Sequence, residues 1–253
     1  DFDGENFKMT KNLFAGDLIK INNKQLRITD GAIKRLINDY TQEAGVRGLK
    51  RVIDTLFREV AVSIASLEKQ SIEITAKAVD NYLERQPIRH DKVGKRKNSG
   101  IVTGLAWTRV GGEILFIESM FTKGKGKIII TGQLGDVMKE SVQIALSLVK
   151  HIFPDKSNLF LENDIHIHVP EGAVPKDGPS AGITLVCAIS SLVTGVIVDS
   201  HIAMTGEVSL SGNILPIGGL NEKLMAAERA SIKKVFIPAS NVNDLKDVSR
   251  EIK

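Results

Sequence analysis

The sequence contains a single cysteine, Cys187, among its 253 residues. One thiol excludes an internal disulfide framework and a thiolate metal cluster. Long apolar runs are missing too, since each one ends well before the roughly 18 residues that a membrane helix needs. Lys and Arg number 34 against 30 Asp and Glu, an excess too small to indicate nucleic-acid binding by itself. The remaining composition, 42% hydrophobic and 25% charged, is that of a globular protein.

The start of the chain has no signal-peptide pattern. It also begins with Asp1 instead of methionine, so we expect a fragment or a processed product. At roughly 150 residues per domain, its length corresponds to one large domain or two modest ones.

Two patterns of apolar residues divide the chain. From Thr29 they recur every three or four positions, as in amphipathic helices. After Gly100, short apolar runs alternate with Gly-rich turns and helical stretches, as in a mixed domain. We therefore predict an α+β protein with a helical subdomain over residues 1–88, a basic linker over 89–100 and a mixed α/β domain over 101–253. Residues 1–28 give no clear prediction.

Several elements of the mixed domain are predicted individually. Helices are expected over Val137–Val149, 180–194 and Leu220–Ala230, and strands over Asp164–Val169 and Val196–Met204.

The linker over residues 89–100 carries five Lys or Arg residues. It is interpreted first as a solvated tether. The alternative is a contact with nucleic acid or an acidic partner.

Ser180 is the first candidate nucleophile. It follows a stretch rich in Pro and Gly, residues 170–179, and it precedes the apolar helix, which places it beside a helix N-terminus. Free backbone N–H groups and the helix dipole favour negative charge there, as an oxyanion hole requires. The alternative is a serine that only caps the helix. Gly178–Gly182 also fits the G-x-S-x-G string of α/β-hydrolases, but that elbow needs a strand before it, which the prolines exclude.

A serine nucleophile needs a base, and two kinds of residue compete for that role. His166 and His168 share one face of a predicted strand and are either bases, metal ligands or a locally satisfied pair. Lys223 lies on the apolar stripe of the helix that begins at Leu220. Burial lowers the pKa of a lysine, and the neutral amine can then accept a proton. The alternative is a lysine whose amine reaches water.

Five segments of the sequence together resemble one family. They are Pro175–Gly182 (PKDGPSAG), Gly218–Ala227 (GGLNEKLMAA), Met204–Glu207 (MTGE), Gly104–Thr108 (GLAWT) and Asp164–Gly172 (DIHIHVPEG). They resemble the C-terminal part of Lon, the ATP-dependent serine protease, in its bacterial and organellar form. The fold that the resemblance implies is a small AAA+ lid followed by a Lon-type proteolytic domain.

The resemblance implies a Ser-Lys dyad in a serine endopeptidase. Ser180 is then the nucleophile, Lys223 the general base and Thr205 the group that positions the lysine amine. The N–H groups of Ser180 and Ala181 are candidate oxyanion donors. Asp177, His166 and Glu207 are supporting residues, and Asp177 is also consistent with closing an inactive site by pairing with Lys223.

The helical subdomain resembles the lid as well. Tyr40–Arg47 is similar to the sensor-2 stretch, so the resemblance assigns Arg47 to nucleotide phosphates. No Walker A motif is present, because Lys123–Lys127 lacks the G-x4-G-K-[ST] pattern. We therefore expect no cofactor for this chain alone, with ATP and Mg²⁺ implied for the full-length parent.

The family also implies unfolded protein substrates and a homohexameric parent. The composition, rich in Lys, Ile and Asn, and the absence of a transit peptide favour the bacterial cytoplasm over the mitochondrial matrix, and the short apolar runs predict no membrane association. Residues 1–20 do not resemble the lid and are interpreted as divergent or foreign sequence. The proteolytic domain is expected to be truncated at its C-terminus.

Two other functions stay open at this point. One is a catalytically silent ring or lid scaffold that binds protein partners or DNA through Lys95, Arg96 and Lys97. The other is a Ser-His hydrolase that uses His166 as its base.

Overall fold

A computed structural model of the chain describes residues 6–10, 18–22, 25–41, 43, 45–66, 71–83, 86–87, 98–108, 111–170 and 176–248. It divides the chain into two compact units, residues 1–90 and 91–253. The predicted linker lies across this division, and residues 88–97, which include Lys95, Arg96 and Lys97, lie outside the described residues.

The first unit combines three helices with short strands. Its elements are β1 (Asn6–Thr10), β2 (Leu18–Asn22), β3 (Leu26–Ile28), α1 (Asp30–Tyr40), α2 (Arg47–Ala65), β4 (Ile72–Ile74) and α3 (Val79–Tyr82). Strands β1 and β2 form an antiparallel pair, and β3 and β4 a parallel pair. The core comes from the apolar stripes of the helices and includes the fully buried Leu36, Leu56 and Val60. The helical periodicity seen in the sequence is therefore confirmed.

Side chains cap the N-termini of α1 and α2 in this unit. The Thr29 hydroxyl caps α1 by accepting from Ala32 N at 3.2 Å. The Glu43 carboxylate accepts from the amides of Gly48 and Leu49 at 2.7 and 2.8 Å, and these bonds lower the pKa of Glu43. Because the first amides of a helix lack intrahelical partners, both contacts stabilise helix starts.

The second unit is built on a six-stranded mixed sheet. Its elements are β5 (Ile101–Thr108), β6 (Gly111–Lys123), β7 (Ile128–Thr131), α4 (Asp136–Ile152), α5 (Ser157–Glu162), β8 (Asn163–His168), α6 (Gly182–Thr194), β9 (Ile202–Met204), β10 (Glu207–Val208), β11 (Ile214–Leu215), α7 (Leu220–Arg229) and β12 (Lys234–Phe236). The strand order is β12-β9-β5-β6-β8-β7. Strand β6 is antiparallel to both of its neighbours, and the other pairs are parallel.

Helices cover both faces of this sheet. Leu115 and Ile117 of β6 join a core with α4 and α6, while Ile114 of the same strand packs with Ala227 and Ala230 at α7. Successive strand residues point to opposite faces, so α4 and α6 lie on one face and α7 on the other. The α+β class is thus confirmed.

One predicted strand is wrong over most of its length. Residues 195–199 form no regular element, and only Ile202–Met204 is a strand. Gly195 ends α6 in the left-handed conformation at φ 73°, and the Asp199 carboxylate then accepts from His201 N at 2.8 Å. An aspartate that bonds the backbone two residues ahead favours a turn over an extended chain.

No helix of the described residues is long and apolar enough to cross a membrane.

Candidate active site

Ser180 lies at the front of an apolar helix, as the sequence predicts. It belongs to a single 3₁₀ turn, Pro179–Ala181, that continues directly into α6. The Ser180 carbonyl accepts from Gly206 N at 2.9 Å, and Ile183 N donates to Gly206 O at 3.0 Å. The Met204–Glu207 segment therefore holds the turn from one side. At the start of a helix the N–H groups of Ser180 and Ala181 lie where amides lack intrahelical partners and where the dipole favours an oxyanion.

Lys223 is buried at the first turn of α7. Only 2% of its surface is exposed, and burial lowers its pKa to about 8. A lysine whose amine reaches water does not fit this burial. Such an amine is neutral in a substantial fraction of molecules at mildly alkaline pH, as a general base must be.

Thr205 joins the lysine to the serine turn. Its hydroxyl accepts from Lys223 Nζ at 3.1 Å and donates to the Ser180 carbonyl at 3.3 Å. Thr205 is 1% exposed, and its bond to Lys223 is buried. A threonine hydroxyl has one donor and can accept, and here both functions are used.

Ser180 and Lys223 line one cavity of about 350 Å³, and Thr205 is hydrogen-bonded to Lys223. Its lining includes Trp107, Glu113, Met138, Lys176, Asp177, Ser180, Ala181, Glu207, Ile217 and Lys223. The structure thus brings together six of the residues singled out from the sequence: Ser180, Lys223, Thr205, Asp177, Glu207 and Ala181.

His166 lies elsewhere. Its Nε2 and Nδ1 of His168 both hydrogen-bond the hydroxyl of Thr131, at 2.9 and 2.7 Å. Neither histidine lines the cavity of Ser180. Among the described residues, no group of three or more His, Cys, Asp or Glu could hold a metal ion. Of the three interpretations of the histidine pair, the one that fits is a pair whose hydrogen bonds are made locally, here to Thr131.

Asp177 does not pair with Lys223. Its Oδ1 accepts from Met138 N at 3.0 Å and from Gly178 N at 2.9 Å. The pairing with Lys223, with which Asp177 was also consistent, is not seen in this structure. The carboxylate is already oriented by the start of α4.

The backbone around Lys223 is fixed by three residues to which the sequence analysis gave no individual role: Gly112, Gly219 and Arg229. A Cβ on Gly112 would lie 1.9 Å from the Glu222 carbonyl oxygen, so the β5–β6 hairpin touches the backbone of α7. Arg229 donates to the Gly112 carbonyl at 2.6 Å. Gly219, just before α7, has φ 66°, and a Cβ there would lie 2.6 Å from the Trp107 ring. The paired glycines at 111–112 and 218–219 were the signal available in the sequence.

Gly219→Ala is expected to misplace Lys223, because it adds a clash with Trp107 and a left-handed residue with a side chain. We expect a loss of about 1–3 kcal/mol in unfolding free energy and a fall in peptide cleavage. Gly218→Ala is the matched control, since no atom lies within 4 Å of its added Cβ. Calorimetry and peptide turnover measure both effects. Equal behaviour of the two variants would contradict this account of the α7 start.

Arg47 lies in the other unit. It is the first residue of α2 and is exposed, four residues after the Glu43 carboxylate that caps this helix. Its side chain is accessible to a ligand.

Comparisons with known proteins agree with both units. Residues 73–253 match the family model of the Lon protease (S16) C-terminal proteolytic domain, and residues 19–80 match the Lon protease AAA+ ATPase lid domain. Lon protease of Clostridium beijerinckii is 52% identical over 98% of the chain, and that of Methanosarcina barkeri 50% identical over 90%. Lon protease of Brucella suis is 49% identical over 91%.

The match to a proteolytic domain, preceded by a match to an AAA+ lid, defines the class of the protein as a peptidase. The chain belongs to the Lon protease family, and its second unit is a Lon-type serine peptidase domain. It spans about a third of the length of the curated relatives it matches, 32% and 29% for the first two. Of the two interpretations of residues 1–20, foreign sequence is wrong, since the first alignment covers 98% of the chain, whereas the lid model begins only at residue 19, as a divergent segment would have it.

Proposed function

We propose that Ser180 and Lys223 form the catalytic dyad of this peptidase. The observation that carries the proposal is the buried amine of Lys223, which shares a cavity with Ser180 and donates to Thr205. In apolar surroundings the neutral amine is favoured, so Lys223 is suited to take a proton at the start of the reaction.

The proposed reaction has two halves. Lys223 Nζ accepts the Ser180 hydroxyl proton while Ser180 Oγ attacks the peptide carbonyl carbon. The N–H groups of Ser180 and Ala181 stabilise the oxyanion. Lys223 then returns the proton to the leaving amine as the C–N bond breaks. Lys223 then takes a proton from water as the water oxygen attacks the acyl carbon, and it returns that proton to Ser180 Oγ as the ester C–O bond breaks.

Thr205 and Glu207 complete the proposed site. Thr205 fixes the direction of the lysine amine through its 3.1 Å bond. Glu207 follows on β10 and lines the cavity. We propose that it contacts the substrate backbone rather than the dyad.

The proposal extends to the whole protease of which this chain covers a part. Its substrates are unfolded or damaged proteins, its assembly is a homohexamer, and its location is the bacterial cytoplasm. ATP with Mg²⁺ would be bound mainly by parts of the parent outside this chain. From this chain Arg47 supplies one exposed guanidinium, a group suited to phosphate oxygens. One such group does not make a nucleotide site, so the chain alone is expected not to hydrolyse ATP.

A fluorophosphonate probe tests the nucleophile directly. The native chain should take one label on Ser180 without ATP, located by peptide mass spectrometry, and should cleave an unstructured fluorogenic peptide. Ser180→Ala should abolish both. Ser190→Ala, on the same helix α6, is the matched control and should retain both. A label that persists in Ser180→Ala would refute the assignment.

A further inference from the structure

Helix α4 receives its side-chain cap from a distant segment. Its N-cap residue is Gly135, which has no side chain to offer. The amide of Met138, in the first turn, is instead bonded by Asp177 Oδ1 at 3.0 Å across 39 positions of sequence. An N-cap side chain ordinarily accepts from the second or third helical amide, so Asp177 makes the bond that Gly135 cannot.

Gly135 leaves room for this carboxylate. A Cβ on Gly135 would lie 2.2 Å from Asp177 Cγ, so any other residue would displace the cap. The backbones pair on both sides of the contact: Gly135 N donates to Lys176 O at 2.8 Å, and Lys176 N donates to Gln133 O at 3.3 Å. The segment before Ser180 is thus bound to the segment that enters α4.

Asp177 also holds the start of the turn that carries Ser180. Its Oδ1 accepts from Gly178 N at 2.9 Å. Gly178 then has φ 130°, a region that L side chains rarely adopt, and Pro179 opens the 3₁₀ turn. At the far end the Ser180 carbonyl is held by Gly206 N and by Thr205. Ser180 therefore lies between two anchors, one on α4 and one before β10.

We propose that Asp177 is a positioning residue that caps α4 across the sequence and thereby holds Ser180 in its reactive orientation. It acts through an acceptor oxygen and not through its charge. The proposal rests on the dyad assignment of Ser180. It differs from a pairing of Asp177 with Lys223, because in that arrangement the carboxylate charge would be the active feature.

Replacing Asp177 with asparagine distinguishes a role of its acceptor oxygen from a role of its charge. Asparagine caps helices as well as aspartate does and keeps an oxygen in the same place, but it carries no charge. Asp177→Asn should therefore keep kcat within about threefold of native. Asp177→Ala removes the oxygen and should lower kcat by about 30-fold with little change in KM, since small misplacements of a reacting group are costly. The rate of Ser180 labelling by the fluorophosphonate should fall in parallel.

Gly135→Ala provides a second route to the same loss. It leaves Asp177 intact but drives a methyl group into the carboxylate, so labelling and kcat should fall as in Asp177→Ala. Thermal unfolding of each variant in the full chain shows whether it is folded at the assay temperature. If Asp177→Ala does not fold, Asp177→Asn and Gly135→Ala still decide the matter.

Three results would overturn the inference. If Asp177→Asn is as slow as Asp177→Ala, the reaction depends on the charge of the carboxylate and not on its acceptor oxygen. A folded Ala variant with a lowered melting temperature but native kcat and labelling would make the cap merely structural. Native activity in folded Gly135→Ala would also contradict it. Turnover that survives Ser180→Ala would instead refute the dyad itself, and the two failures are therefore distinguishable.

Discussion

Lys223→Met is expected to abolish peptide cleavage and at the same time to make the protein more stable. A general base contributes roughly 10²–10⁴-fold to rate, and here the same amine acts in both halves of the proposed reaction. We therefore expect kcat to fall by at least about a thousandfold. Methionine has a similar length and no charge, so the side chain should still fill the space below Thr205.

The stability gain follows from the lowered pKa. In the unfolded chain the lysine has its ordinary pKa of 10.5, and in the folded chain about 8. Between these values the unfolded state binds more protons, so stability rises with pH. Below pH 8 the full penalty applies, about 3 kcal/mol at 1.36 kcal/mol per pKa unit. Methionine removes this penalty.

Urea unfolding followed by circular dichroism at pH 7 and pH 10 measures the effect. The gap between Lys223→Met and the native protein should be largest at pH 7 and should shrink towards pH 10. Lys233→Met, at an exposed position four residues past α7, is the matched control and should change neither activity nor stability. A Lys223→Met variant that still cleaves peptide would remove Lys223 from the proposed reaction.

Thr205→Val is the second substitution that we expect to slow peptide cleavage strongly. Valine has nearly the shape of threonine but lacks the hydroxyl, so it leaves the Lys223 amine buried without its partner and frees the Ser180 carbonyl from one of its two donors. An unsatisfied buried polar group costs about 1–3 kcal/mol, and we expect kcat/KM to fall by about 10- to 100-fold.

Thr205→Ser is the control, because it restores the hydroxyl and loses only a methyl group. It should recover most of the activity that Thr205→Val loses. Peptide kinetics on both variants measure the difference. If the valine variant cleaves as fast as the serine variant, the hydroxyl does not orient the amine.

The sequence predicted the two helices that carry Ser180 and Lys223 because the signals for them are local. The apolar stripe around Lys223 and the apolar segment after Ser180 are periodic patterns within one element, and both elements lie within a few residues of their predicted bounds. Local periodicity reports which side of a helix is buried. It placed Lys223 on the apolar stripe of its helix but left open whether the amine reaches water, and the family resemblance assigned it as the base.

The features that were missed depend on contacts between distant segments. Asp177 meets Met138 across 39 positions and Arg229 meets Gly112 across 117. No pattern within a single element encodes such a contact. The same reason explains the strand wrongly predicted at 196–201, since its apolar residues suit a strand but Gly195 and Asp199 fix a turn.

Trp107 gives the molecule an intrinsic optical probe. It is the only tryptophan in the sequence, it is 58% exposed, and its ring lies against the backbone just before α7 and lines the cavity. Indole emission depends on local polarity, so occupancy of the cavity and displacement of the Gly219 turn should both change the fluorescence of the unmodified protein. The events nearest to Lys223 can therefore be followed in real time without attaching a dye.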